Sequence, residues 1–230
     1  MTLPVKLDGF DISKEYPKAY QQSTDKVVYS IMHYIGCEIG IDENDPAYWA
    51  NMAFSLQRDA KPEKAEKYYK KALEIDPDNA IYLINLGYVL SEQQKNEEAI
   101  NYLRYAVNIS PDFAEGWINL SSAYIDSGQI DDGLICCNKG IDLDPSNPVL
   151  WNNRGYAYAL NNNLNNAISN YKESLRLRPD NTDTMYHLAS TYYAMRQYDK
   201  AIKIYDDILA LEPTHLNALY WKSILANTKK

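Results

Sequence analysis

Through the middle of this chain, large residues recur three and four positions apart, the spacing that lines them along one face of an α-helix. The pattern repeats every 34 residues, and five prolines mark the period: Pro77, Pro111, Pro145, Pro179 and Pro213. Four of them close similar phrases, Glu74-Ile75-Asp76-Pro77, Asp142-Leu143-Asp144-Pro145, Arg176-Leu177-Arg178-Pro179 and Leu211-Glu212-Pro213. Counting back from each proline defines five units, 46–79, 80–113, 114–147, 148–181 and 182–215.

Each column of the repeat has a physical meaning. The fourth residues are Trp49, Leu83, Trp117, Trp151 and Met185; the seventh are Met52, Leu86, Leu120, Arg154 and Leu188. With the eleventh, Leu56, Leu90, Tyr124, Tyr158 and Tyr192, they form one stripe. The eighth residues (Ala53, Gly87, Ser121, Gly155, Ala189) and the twentieth (Ala65, Ala99, Gly133, Ala167, Ala201) are small. Small residues on both sides let two antiparallel helices approach closely. Each unit is thus predicted to be two helices, the second ended by proline, which lacks a backbone donor and disfavours α geometry before it. Asp45-Pro46 and Asn147-Pro148 read as an N-cap followed by proline in the first turn, and Asn79 and Asn181 hold the same cap position.

The chain is predicted to have three parts. Residues 1–45 form an N-terminal extension, loose or extended over 1–12, with a helical cap or degenerate repeat whose stripe is Val28, Ile31, Met32, Ile35 and Ile39. The five units fill 46–215. Residues 216–230 form a C-terminal capping helix with Leu219, Tyr220, Ile224 and Leu225 apolar. One segment departs from the pattern: the third unit's second helix carries Gly133 and Gly140 and places Cys137 where a large residue is usual. Two helical glycines cost about 1 kcal/mol each relative to alanine, so 130–143 is expected to be the softest part of the array.

The 34-residue unit, with its large–large–small start, alanine in the second helix and terminal proline, resembles the tetratricopeptide repeat (TPR) family. The resemblance covers 46–215. It implies an all-α fold, a right-handed superhelical α-solenoid of stacked antiparallel helix pairs that share one continuous core. It also implies a concave wall lined by the second, fifth, sixth, ninth, twelfth and thirteenth residues of each unit.

On that wall the sixth place reads Asn51, Asn85, Asn119, Asn153 and then His187, with Trp221 in the capping helix. Asparagine is a poor helix former, so four at one mid-helix place call for a reason. One reading is an amide ladder that pairs with a bound peptide's backbone, since each Asn both donates and accepts. The other is hydrogen bonding between helices of the repeat itself. Phe54, Tyr88 and Tyr156 at ninth place, and Ile84, Ile118 and Tyr186 at fifth place, flank the Asn column. They either form side-chain pockets for a peptide or pack against neighbouring helices. The second place reads Ala47, Ile81, Glu115, Val149 and Asp183, without the Lys that TPRs use to clamp the terminal carboxylates of chaperones.

Charge narrows the partner. The net charge is −8 and the pI about 4.9, which argues against nucleic acid or anionic lipid and favours a neutral or basic polypeptide. Glu92, Glu115, Asp126 and Asp183 fall on the inner wall against Arg58, either selecting such a partner or forming a solvated face. No secretory signal or 20-residue apolar run is read in the sequence. Three cysteines, two of them adjacent, do not make a disulfide framework. A cytoplasmic location follows as the expectation. Catalytic motifs, a cofactor and a metal site are not expected; His33 and Cys37, one helical turn apart, are better read as core. The expected function is a non-catalytic scaffold or adaptor holding an extended peptide or partner helix in the concave groove. The alternatives are a dedicated chaperone or assembly factor for one client, or a regulatory subunit of an enzyme on another chain.

Overall fold

The computed structural model describes residues 6–7, 10–11 and 43–228. The amphipathic stripe expected over 24–40, with His33 and Cys37, lies outside the described residues. Near the N-terminus, β1 (Lys6–Leu7) and β2 (Phe10–Asp11) pair antiparallel, Lys6 opposite Asp11 and Leu7 opposite Phe10.

All other regular structure among the described residues is helical. The first compact unit, ending at Gln93, holds α1 (Pro46–Arg58), α2 (Pro62–Ile75) and α3 (Ala80–Glu92). The second begins at Gln94, inside the second 34-residue repeat. It holds α4 (Asn96–Ile109), α5 (Ala114–Asp126), α6 (Ile130–Leu143), α7 (Pro148–Leu160), α8 (Leu164–Leu177), α9 (Thr182–Ala194), α10 (Tyr198–Leu211) and α11 (Leu216–Thr228). Within each unit every helix packs against the next in sequence, the helix-pair stacking of an α-solenoid.

Local chemistry sets the helix ends. Asp45, Asn79, Asn147 and Asn181 each cap a first helix, their side-chain oxygens accepting from Ala47, Tyr82, Val149 and Thr184 N–H groups at 2.8 to 3.2 Å. Phe113 holds the same place before α5 and gives no side-chain cap. The fourth-place tryptophans brace the incoming turn: Trp49, Trp117 and Trp151 donate their indole N–H to the carbonyls of Glu43, Pro111 and Pro145 at 2.8 to 2.9 Å. Each first helix is followed by a residue in the left-handed region, at Ala60, Gln94, Gly128, Asn162 and Arg196. Gly128, and to a lesser degree Asn162, announce that conformation by residue type.

The small columns lie in the core. Ala53, Ala65, Ala167, Ala189 and Ala201 are fully buried, as are the twenty-fourth-place Tyr69, Cys137, Tyr171 and Tyr205. A Cβ on Gly155 would sit 2.8 Å from the Tyr171 ring, so this column is small because a neighbouring aromatic ring fills its space. Arg154, which replaces leucine at seventh place, keeps its charge partnered: Nε donates to Asn170 Oδ1 at 2.7 Å and Nη1 to Asn138 Oδ1 at 2.8 Å. Its guanidinium lies 4.5 Å from the Trp151 ring centre.

Candidate binding face on the first helices

In the second unit, α5, α7, α9 and α11 are the first helices of successive repeats, and the sixth-place residues link them. Asn153 of α7 donates its amide to Ser122 Oγ at 2.9 Å and Ser121 Oγ at 3.3 Å on α5. His187 Nδ1 of α9 lies 3.2 Å from Asn152 Oδ1 of α7. Trp221 of α11 donates to the Tyr186 hydroxyl of α9 at 3.2 Å. These columns therefore do structural work between helices. Asn119 differs: it is half-buried and forms no side-chain hydrogen bond among the described residues.

Aromatic rings continue the same face. Tyr156 stacks on His187 with ring centres 5.3 Å apart and planes 14° from parallel. Tyr186 lies 6.3 Å from His187, and Tyr193 packs 4.9 Å from Trp221. Tyr156 is 37% exposed and Tyr220 59%, so the strip offers ring surface to solvent at both ends. Burial lowers the His187 pKa while the Asp183 carboxylate opposes that shift, which keeps the imidazole neutral near pH 7. Burial raises the Asp126 carboxyl on α5. The cations of these helices are engaged elsewhere, Arg154 on Asn138 and Asn170, and Lys222 in an ion pair with Asp206. The face can thus bind through ring surface and amides, with carboxylates at its margin.

The first unit carries a smaller set. Asn51 and Phe54 of α1 are exposed and Asn85 of α3 is half-buried. Tyr88, largely exposed, donates its hydroxyl to Glu92 at 3.1 Å. Two fifth-place residues contribute no open surface: Ile84 is 2% exposed and Ile118 9%, both in the core. They fail as pocket walls because a first helix has neighbours on two sides and buries more than one stripe. Val149, Leu160 and Ile81, by contrast, are exposed.

Reading each column separately missed Asn152, Ser122 and Tyr193 as parts of one strip with the sixth-place residues. The signal was present in the fifth place, which turns from Ala50, Ile84 and Ile118 to Asn152, Tyr186 and Tyr220 toward the C-terminus. Among the described residues no group of three or more His, Cys, Asp or Glu could hold a metal ion, and no helix is long and apolar enough to cross a membrane.

Comparison with known proteins agrees with this architecture. A thermophilic TPR protein of Thermus thermophilus superposes with a TM-score of 0.68 at 20% identity, over 79% of this chain and 98% of its own. YrrB, described as a TPR protein with an unusual peptide-binding site, superposes at 0.61 and 22% identity over 81% of this chain and 96% of its own. PilF of Pseudomonas aeruginosa superposes at 0.70 and 19% identity, over 80% of this chain and 84% of its own. At these identities the likeness is one of fold. No curated protein matches the chain in sequence. The model of one family, the tetratricopeptide repeat protein 21 C-terminal ARM domain, matches residues 45–225. With its 34-residue period, its capped helix pairs and this match over most of its length, the chain belongs to that family of tetratricopeptide-type repeat proteins.

Proposed function

We propose that the chain is a non-catalytic interaction scaffold that holds an extended peptide or partner helix against its first-helix face. The observation that carries this reading is the pair of exposed rings Tyr156 and Tyr220 on the first helices of the second unit, together with the Asn119 amide on α5, which forms no side-chain hydrogen bond among the described residues. Such a surface suits a polypeptide better than a small substrate. Rings give area at low entropic cost, and amides accept backbone groups of any sequence. The marginal carboxylates favour a neutral or basic partner. The YrrB description adds a peptide-binding site on a similar fold. Cys136 and Cys137 are unpaired and buried, which fits a reducing compartment such as the cytoplasm.

The test is affinity capture from the native host with wild type and an Asn119→Ala/Tyr156→Ala variant, both checked for an unchanged thermal melt. Loss of one stoichiometric polypeptide from the variant supports the reading. Equal recovery of every captured protein rejects the face.

A further inference from the structure

The turn that leads into α1 has the geometry of a turn between repeats. Trp49 donates its indole N–H to the Glu43 carbonyl at 2.9 Å, as Trp117 does to Pro111 and Trp151 to Pro145. Counted in the 34-residue period, Glu43 stands at the place of those prolines. Asp45 caps α1 with φ −81° and ψ 112°, and Asn147 caps α7 with φ −82° and ψ 111°. Before α5 and α7 this turn follows a second helix, α4 or α6.

α1 is also more open on one side than the later first helices. Elsewhere a second helix covers the third and tenth places of the first helix that follows it. A Cβ on Gly140, at twenty-seventh place, would lie 2.5 Å from Leu150 at third place. Ser174 and Thr184 hold the same two places with their hydroxyl oxygens 3.4 Å apart. Cys137, at twenty-fourth place, clusters with Ala157 at tenth, and Ile141, at twenty-eighth, with Leu150. Tenth-place Val89, Ala123, Ala157, Thr191 and Leu225 are accordingly buried. On α1 the same side carries Tyr48 and Ser55, both half-buried, with exposed Asn51 between them.

The sequence ahead of that turn matches a second helix. One period back, Met32, Ile35 and Ile39 fall at the twenty-first, twenty-fourth and twenty-eighth places. The later units hold Ile100, Leu134, Ile168 and Ile202 in the first of these columns, and Leu73, Val107, Ile141, Leu175 and Leu209 in the last. Spacings of three and four put all three residues on one helix face. Asp42 falls where Asp76 and Asp144 end α2 and α6. Two departures say that a first helix is missing from this unit. Ile31 replaces the small twentieth residue that permits close pairing, and Pro17 occupies the sixth, mid-helix place. Gly36 and Gly40 lower intrinsic helicity, so the segment depends on a neighbour for its order. Glu38, at twenty-seventh place, falls opposite Tyr48, whose hydroxyl is a donor suited to a carboxylate.

We propose that residues 28–41 form a lone second helix, half a repeat, seated on the Tyr48–Ser55 side of α1. Ile35 lies against Ser55, and Glu38 and Ile39 lie against Tyr48. The chain thereby covers this side of α1 with its own residues, and no partner docks there.

Disulfide mapping in the full chain tests this, with Cys37→Ser as background. Glu38→Cys and Tyr48→Cys together occupy the twenty-seventh and third places, the pair in closest contact between α6 and α7. Mild oxidation followed by peptide mass mapping should find this pair joined within one molecule. Glu38→Cys with Phe54→Cys, on the inner wall, should join at least tenfold more slowly. Hydrogen exchange gives an independent reading without new cysteines: Ile35→Asp should speed exchange of α1 amides at least tenfold and leave α7 to α10 unchanged. No link between the first pair, equal linking of both pairs, a link between two molecules, or unchanged α1 exchange in Ile35→Asp each overturns the proposal. None of these outcomes bears on the Asn119–Tyr156 face.

Discussion

Replacing Gly140 with alanine separates local propensity from packing, because the two predict opposite signs. Alanine is favoured over glycine in a helix interior by about 1 kcal/mol, so propensity alone makes Gly140→Ala stabilising. The structure opposes this. A Cβ at residue 140 of α6 would lie 2.5 Å from Leu150 Cδ2, 3.0 Å from Cδ1 and 3.3 Å from Cγ on α7. Leu150 is fully buried, so its branch cannot swing into solvent. The helices must separate or Leu150 must leave its rotamer, and overpacking of this kind costs about 1–3 kcal/mol. Subtracting the propensity gain leaves a destabilisation of about 1 kcal/mol. Urea unfolding followed by far-UV circular dichroism measures it as a lower midpoint with unchanged slope. The mechanism has its own check, since Leu150→Val frees volume at the contact. The double variant should then be more stable than the sum of the two single effects. A Gly140→Ala protein as stable as wild type, or a strictly additive double variant, would refute the packing argument. The same geometry, with a Cβ at residue 133 only 2.6 Å from Ile125 Cγ1, revises the expectation of a soft 130–143 segment. Both glycines are points of close helix contact, and amides of α6 should exchange as slowly as those of α5.

Other consequences can be measured separately. Gly128 has φ +81° with open space around it, so Gly128→Ala should cost about 1 kcal/mol through backbone strain alone. At the equivalent Arg196, φ +58°, a change to glycine should raise stability by about 0.5 kcal/mol in the same urea assay. Burial lowers the His187 pKa in the folded chain. Below the ordinary histidine value of about 6.5 the unfolded state therefore binds a proton that the folded state resists. Stability from this group is complete above that pH and falls as pH drops toward the lowered value, so His187→Gln should flatten the fall in melting temperature on acidification. Burial pushes the Cys136 thiol up to about 12 and Cys137 to about 11. Neither should react with a disulfide reagent at mildly alkaline pH until the chain is unfolded.

What could be read in the sequence follows from what repeats share. The proline period, the small eighth and twentieth places and the Asp or Asn caps recur because every helix pair solves the same local problem with the same residue types. Hence Ala53, Ala65 and Tyr69 are buried, as their columns require. The candidate face depends on what the repeats do not share. Whether Asn153 offers its amide to a ligand depends on Ser121 and Ser122, 31 to 32 residues earlier, which take its donors. Asn119 stands in the same column without such a bond. Whether the fourth-place tryptophan is covered depends on Tyr68 and Lys71 in one repeat and on Arg154 in another. Aligning the repeats averages away such pairings, since each joins two columns that vary independently along the chain. The left-handed turn residue shows the same limit: Ala60, Gln94 and Arg196 adopt it as Gly128 and Asn162 do, yet only glycine and asparagine are residue types that signal it.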